Sequence, residues 1–145
     1  IKLHLIGKLQ TNKVKFAIRL FDYIHSVDSE KLAKKIADEQ KKINRKIKIF
    51  IQINIGDEEQ KSGLNKDRLK NFYIYCKELD LDVIGLMCIP PLNKSPDLYF
   101  KEMETLSNEL QFKELSMGMS SDYIEAANYS STFLRIGSRI FGQRV

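Results

Sequence analysis

The chain has 145 residues, of which 43% are hydrophobic and 30% are charged. This length suits one domain with a packed core, and the composition excludes a disordered or collagen-like chain. No apolar run reaches the roughly 18–20 residues that a membrane span needs. The two cysteines are too few for a disulfide framework. We therefore expect a cytoplasmic protein that does not enter the membrane.

Basic residues are concentrated in the first third of the chain. Residues 1–48 carry 13 Lys+Arg and 5 Asp+Glu, whereas residues 49–145 carry 11 and 14. A basic segment can attract nucleic acid or phosphate compounds. Five of these residues, Lys31, Lys34, Lys35, Lys41 and Lys42, fall mostly on the polar side of one predicted helix, and no zinc-finger or RNA-binding motif accompanies the basic segment. We expect no nucleic-acid partner, and a basic binding surface is kept as an alternative.

Hydrophobic patterning predicts strands and helices that alternate along the chain. The predicted strands are residues 3–6, 23–27, 47–55, 83–89, 115–117 and 133–140. Five amphipathic helices separate them, and residues 56–63 form a polar loop. The residues predicted to cap three of the helices are Thr11 or Asn12, Asp28 or Ser29, and Asp122 together with Glu125.

Strict alternation of strand and helix argues for parallel strands that are joined by crossover helices. A doubly wound sheet and a (β/α)8 TIM barrel both have this pattern. No Gly-x-Gly-x-x-Gly follows the first strand, which weakens the case for a doubly wound dinucleotide fold. A barrel needs eight strands, six are predicted, and the chain begins at Ile1 rather than Met. We expect one α/β domain, residues 1–145, that is an incomplete barrel containing strands 3 to 8.

Two short apolar runs near the C terminus each end in a turn of small residues, at residues 115–120 (LSMGMS) and 133–138 (FLRIGS). Backbone N–H groups and hydroxyls at two neighbouring strand ends can surround one anion. Phosphate sites at the ends of the seventh and eighth strands recur in barrels. Arg135 lies on the last, otherwise apolar strand, where a buried arginine needs partners. It either binds a ligand at the barrel mouth or pairs with an acidic side chain of a neighbouring strand.

Other chemistries have weaker support in the sequence. His4 and His25 are 21 residues apart, and no Cys or His lies at close ligand spacing, so we expect no metal site. No Gly-x-Ser-x-Gly nucleophile elbow and no P-loop are present. Cys88 lies inside an apolar strand and is interpreted as a small core residue.

Six motifs follow one another through the chain. They are His4-Leu5-Ile6-Gly7-x-Leu9-Gln10-x-Asn12-Lys13, Ile51-Gln52-Ile53-Asn54, Lys61-Ser62-Gly63, Gly85-Leu86-Met87, Leu115-Ser116-Met117-Gly118-Met119-Ser120-x-Asp122 and Arg135-Ile136-Gly137-Ser138-x-Ile140-Phe141-Gly142. Together they resemble the pyridoxal 5′-phosphate (PLP) homeostasis protein family (YggS/PROSC). The resemblance implies a single barrel like the N-terminal domain of alanine racemase, the fold of type III PLP enzymes.

The resemblance also implies a function. Family members bind PLP and are assigned to intracellular vitamin B6 homeostasis without established catalytic turnover. The implied state is a cytoplasmic monomer, and PLP-dependent apoenzymes are possible recipients. Six residues are assigned to the cofactor: Ser116, Gly137 and Ser138 around the phosphate, the backbone near Gly118 and Ser120 beside them, and Arg135 near the pyridine nitrogen.

One departure from the family is large. Its PLP lysine, which forms a Schiff base, belongs to the first barrel strand, and the sequence matches the family only from the third strand. We therefore expect the covalent anchor to lie in a missing N-terminal part, and Lys61 is not taken as its replacement. Six strands leave two exposed edges beside an apolar interior, so we expect residues 1–145 alone to be poorly soluble or marginally stable.

An enzymatic alternative remains, namely a fold type III PLP-dependent amino-acid racemase. Alanine racemases carry a second, β-rich domain that supplies a catalytic tyrosine. No such sequence follows the last predicted strand. We therefore expect a protein that is not an enzyme.

Overall fold

The computed structural model describes residues 1–59 and 61–145, so that Gln60 of the predicted 56–63 loop lies outside the described residues. Its strands are β1 (His4–Leu5), β2 (Tyr23–Val27), β3 (Lys48–Ile53), β4 (Asp82–Cys88), β5 (Glu114–Met119) and β6 (Phe133–Arg135). Its helices are α1 (Val14–Leu20), α2 (Glu30–Ile43), α3 (Leu69–Glu78), α4 (Asp97–Glu109), α5 (Tyr123–Asn128) and α6 (Ser138–Phe141). Within these ranges, no helix combines the length and apolarity that crossing a membrane requires.

The six strands form one parallel sheet in which each strand lies beside its neighbours in sequence. The order is β1-β2-β3-β4-β5-β6, with β1 and β6 at the two edges. A doubly wound sheet has a point at which the strand order reverses, and the described strands contain none. The predicted parallel α/β sheet is therefore confirmed in its barrel-type order, and the doubly wound alternative is wrong.

The sheet is curled, because side chains from its two edges meet. The ring centroid of Phe133 on β6 lies 5.8 Å from those of His4 on β1 and Tyr23 on β2. The same ring lies 5.9 Å from His25 and 5.2 Å from Phe50. We call these five residues the aromatic interior. It occupies the concave side of the sheet, where the centre of a closed barrel would lie.

The middle of the sheet is buried on both faces. Only the first of the six residues of β3 is exposed, as is typical of a parallel strand that is covered by helices. Gly85 on β4 lies so close to β5 that a Cβ atom added to it would be 2.0 Å from the carbonyl oxygen of Glu114. This position therefore requires glycine for the two strands to approach each other.

The last predicted strand is too long. It was expected to continue to residue 140, but β6 ends at Arg135. The N–H groups of Ile140 and Phe141 both donate to the carbonyl oxygen of Gly137 at 2.9 Å, which closes the helical turn α6. An apolar run therefore does not guarantee a strand where a Gly-Ser pair lets the backbone turn.

Of the three predicted helix caps, one is confirmed and two are wrong. Ser29 caps α2 as predicted, because its side chain accepts a hydrogen bond from the N–H of Leu32. The predicted cap of α1 is wrong, since the residue before that helix is Lys13, whose side chain has no acceptor. The capping box of α5 is also wrong. Oδ1 of Asp122 instead accepts from the N–H of Met119 at 2.7 Å, which supports the end of β5.

Candidate functional site

The ends of β5 and β6 surround a small group of hydrogen-bond donors. Oγ of Ser120 accepts from the backbone N–H groups of Gly137 and Arg139, each at 3.2 Å. The first N–H groups of a helical turn have no partner within the turn, which leaves them available to an acceptor. A Cβ added to Gly137 would meet no atom within 4 Å, so the space above it is open. We call Ser120, Gly137, Ser138 and Arg139 the anion cup.

Three of the six residues that the sequence predicts for the site lie in the anion cup, namely Ser120, Gly137 and Ser138. Their contact with a ligand stays a prediction. Arg139 is an addition that the sequence reasoning missed. Its contribution is a backbone N–H, which every residue except proline supplies, so the residue type at this position does not indicate the role. Only its place two residues after Gly137 could have indicated it.

Gly118 lies next to the anion cup but has a structural role. Its φ of +100° is in the left-handed region, where glycine is strongly favoured. A Cβ there would lie 2.6 Å from Cβ of Ala126 and 3.0 Å from Cδ2 of Leu134. Gly118 therefore lets α5 and β6 pack closely against the end of β5. The predicted contribution of its backbone to ligand binding stays a prediction.

Ser116 lies in the interior rather than at the anion cup. Its side chain is fully buried. Oγ of Ser116 accepts a hydrogen bond from Nη1 of Arg135 at 2.7 Å and lies 2.8 Å from Nδ1 of His25. Among the described residues, the hydroxyl of Ser116 contacts these two side chains and no backbone N–H of the anion cup. The predicted contact of Ser116 with the phosphate stays a prediction.

Arg135 is held by neutral oxygen atoms. In addition to Ser116, it donates from Nη2 to the carbonyl oxygen of Cys88 at 2.8 Å. No carboxylate among the described residues lies within ion-pair distance of it, so the predicted alternative of an acidic partner is wrong. Burial lowers the pKa of Arg135, although a guanidinium stays charged in proteins. Two of its five N–H donors have partners among the described residues, and the other three are not engaged by them.

Cys88 is a core residue, as the sequence predicts. It is fully buried, and burial raises the pKa of its thiol to about 12, so the thiol is protonated at neutral pH. Its contribution to the site is the carbonyl oxygen that Arg135 contacts. The sequence does not predict this contact, because every residue type has a backbone carbonyl.

His4 and His25 lie together, although no pattern in the sequence predicts that they pair. Nδ1 of His4 is 3.0 Å from Nε2 of His25. His4 stacks on Tyr23 with ring centroids 4.1 Å apart, and His25 stacks on Phe50 at 4.3 Å. They are 21 residues apart in the sequence and lie on the adjacent parallel strands β1 and β2. The described part of the chain contains no group of three or more His, Cys, Asp or Glu side chains suited to a metal.

The surroundings of both histidines favour the neutral imidazole. The pKa of His25 is lowered to about 3, chiefly by burial and in addition by the nearby His4 and Arg135. Burial also lowers the pKa of His4, which Asp22 partly opposes. The cation Arg135 therefore lies near two imidazoles whose neutral form is favoured.

Stability should depend on pH through His25. Its pKa in the folded chain lies below the ordinary histidine value of 6.5. The unfolded chain therefore binds more protons, and the free energy of unfolding falls as the pH drops from about 6.5 towards 3. His25→Phe keeps an aromatic ring and removes the titrating group. Between pH 7 and pH 4 we expect the free energy of unfolding of the unmodified chain to fall by up to about 3 kcal/mol more than that of the variant. Urea unfolding at both pH values measures the difference, and equal losses would contradict this account.

The sequence matches the alanine racemase N-terminal domain family over residues 2–145. The pyridoxal phosphate homeostasis protein of Aquifex aeolicus is 40% identical over 97% of this chain and 66% of its own length. That of Synechocystis is 37% identical over 100% of this chain and 71% of its own length. The structure of PipY from Synechococcus elongatus, solved with PLP bound, is 33% identical, with a TM-score of 0.92 over 98% of this chain and 71% of that one.

The chain thus spans about two thirds of the length of these relatives. The strand order, the curled parallel sheet and these similarities agree, and they confirm the predicted fold class and the predicted family. The chain belongs to the alanine racemase N-terminal domain family and, within it, to the pyridoxal phosphate homeostasis proteins.

Proposed function

We propose that this chain binds the phosphate of PLP in the anion cup and serves PLP homeostasis. The observation that carries the proposal is the convergence of the N–H groups of Gly137 and Arg139 on the hydroxyl of Ser120. Backbone N–H groups and hydroxyls of this kind commonly bind phosphate oxygens. The PLP in the PipY structure and the names of the relatives support the same ligand.

Arg135 is the second group that we assign to PLP. Its three remaining N–H donors suit an acceptor such as the pyridine nitrogen. A guanidinium does not give up its proton, so it would leave that nitrogen unprotonated. When bound, PLP supplies a reactive aldehyde and an electron-withdrawing ring, and an unprotonated ring withdraws electrons less strongly. This property supports binding and storage rather than vigorous chemistry.

The cellular setting follows from the same proposal. We place the protein in the cytoplasm as a single-domain monomer that holds PLP for PLP-dependent apoenzymes. The two cysteines are free and buried, which suits a reducing compartment. Sedimentation of the purified protein with and without PLP tests the monomer, and a ligand-dependent dimer would contradict it.

The hydroxyls of the anion cup provide a direct test. Ser120→Ala combined with Ser138→Ala should weaken PLP binding by about tenfold or more, because charged phosphate oxygens lose two donors. Ser121→Ala is the matched control, since Ser121 is exposed and makes no hydrogen bond with another described residue. Calorimetric titration with PLP measures the change.

Pyridoxal, which lacks the phosphate, separates the cup from the rest of the site. We expect it to bind weakly, and to bind the chain and the double variant equally. If pyridoxal binds as tightly as PLP, or if the double variant keeps the PLP affinity of the Ser121 control, the assignment of the anion cup is wrong.

We propose that the protein has no catalytic turnover, in accord with the names of its relatives. The racemase alternative is tested by incubating the protein with PLP and either enantiomer of alanine. We expect no interconversion above that of PLP alone. Interconversion that disappears in an Arg135 variant would establish the enzyme instead.

A further inference from the structure

Four polar side chains form a continuous hydrogen-bonded series across the interior of the curled sheet. Arg135 Nη1 lies 2.7 Å from Ser116 Oγ, which lies 2.8 Å from His25 Nδ1, and His25 Nε2 lies 3.0 Å from His4 Nδ1. We call these four residues the interior bridge. They lie on β6, β5, β2 and β1. Because β3 and β4 separate β2 from β5 in the sheet, only its curvature brings Ser116 and His25 into contact.

The donors and acceptors of the interior bridge can be assigned from its arginine end. Arginine only donates, so Ser116 Oγ accepts from Arg135. The Ser116 hydroxyl proton then needs an acceptor, and among the described residues the only other partner is Nδ1 of His25. His25 therefore carries its proton on Nε2 and donates it to Nδ1 of His4, which in turn carries its proton on Nε2.

The opposite direction is less favourable. If His25 donated from Nδ1, Ser116 Oγ would accept from both His25 and Arg135, and the serine proton would have no acceptor. Ser116 is fully buried, so water does not supply one at its surface. A buried donor without an acceptor carries the full cost of its desolvation. One direction thus satisfies all three hydrogen bonds, whereas the other leaves a buried hydroxyl unsatisfied.

We propose that His25 and His4 are positioning residues for Arg135. By accepting a hydrogen bond from the Ser116 hydroxyl, Nδ1 of His25 orients the serine so that a lone pair of its oxygen faces Nη1 of Arg135. The Cys88 carbonyl holds Nη2 at 2.8 Å. The guanidinium is thus held at two of its nitrogens. This arrangement favours a planar heteroaromatic ligand with an unprotonated ring nitrogen, an identity that rests on the function proposed above.

The tautomers test the inference without any ligand. We expect long-range ¹H–¹⁵N correlation spectra of the ¹⁵N-histidine-labelled chain at pH 7 to show Nε2 protonated and Nδ1 unprotonated in both His4 and His25. A proton on Nδ1 of His25 would overturn the inference. This measurement uses the unmodified chain, so its outcome is independent of whether PLP binds.

Two substitutions of His25 separate positioning from packing. His25→Asn supplies an amide oxygen near the place of Nδ1 but loses the ring, whereas His25→Phe keeps the stack on Phe50 and loses the acceptor. If His25 positions Arg135, His25→Phe should weaken PLP binding by about tenfold and His25→Asn by clearly less. The reverse order would show a packing role and overturn the proposal.

The ¹⁵Nη resonances of Arg135 provide the readout that does not need PLP. We expect separate resonances for Nη1 and Nη2 in the unmodified chain and in His25→Asn, because both nitrogens are held. In His25→Phe the two should merge as the guanidinium rotates. Merged resonances in the unmodified chain would overturn the inference. Failure of the unmodified chain to bind PLP, with separate resonances and the expected tautomers, would instead overturn the proposed function.

Discussion

Replacing Arg135 by leucine is expected to weaken PLP binding by about a hundredfold while changing stability little. The loss in binding follows from removing a cation with three free N–H donors at the site, since hydrogen bonds to charged groups contribute about 1.5–3 kcal/mol each. The small change in stability has a different reason. Removing a buried charge removes its desolvation cost. This gain offsets the loss of the hydrogen bonds that Arg135 donates to Ser116 and Cys88.

Arg139→Leu is the matched control for this prediction. It makes the same chemical change four residues away, but Arg139 contributes a backbone N–H that the variant retains. We expect PLP affinity to change less than about threefold, because its side chain is exposed and exposed charges contribute little. Calorimetric titration and urea unfolding of both variants measure the two effects. Equal loss of PLP affinity in both variants would contradict the role of Arg135.

Arg135→Lys tests whether charge alone is sufficient. Lysine keeps the positive charge but is a single point donor, so it does not reproduce the fork that contacts both Ser116 and Cys88. We expect an affinity between those of the unmodified chain and the leucine variant. An affinity equal to that of the unmodified chain would show that the fork is unimportant.

The largest effect on stability is expected from Phe50→Ala, which should reduce the free energy of unfolding by about 3–5 kcal/mol. Phe50 is fully buried at the centre of the aromatic interior. It stacks on His25 and makes an edge contact with Phe133, 5.2 Å away. Its removal would leave a cavity between the two halves of the curled sheet. A loss of this size is a large part of the roughly 5–15 kcal/mol that stabilises a typical domain.

Phe16→Ala on α1 is the control for that prediction. Its side chain is 58% exposed, so we expect a loss below about 1 kcal/mol. Urea unfolding followed by circular dichroism measures both variants, and equal losses would contradict the central role of Phe50. The unmodified chain in the same experiment tests the expectation of marginal stability. A monodisperse monomer that melts cooperatively would contradict that expectation.

Much of this molecule is predictable from local patterns. Strand β2 has the predicted bounds, the central strand is buried on both faces as its β-branched residues indicate, and Ser29 caps α2. The two turns of small residues on β5 and β6 place Ser120 and Gly137 side by side. Periodicity and strand order suffice for these features, because parallel neighbours bring their carboxyl ends to the same edge of the sheet.

The structural predictions are wrong at positions where one residue type is compatible with several backbone structures. The run after Arg135 is apolar enough for a strand, yet the backbone turns at Gly137 and forms α6. Asp122 could cap α5, but its carboxylate accepts from the N–H of Met119 instead. Local patterns do not separate these outcomes, since the competing hydrogen bonds differ by little free energy.

The order of the motifs in the sequence is sufficient to predict the family, the parallel sheet and the position of the anion cup. Only the tertiary structure decides what surrounds Arg135. His4 and Ser116 are 112 positions apart by their residue numbers, and they become members of one interior bridge because the sheet curls. Curvature depends on how all six strands twist and pack together, and no single stretch of sequence records it.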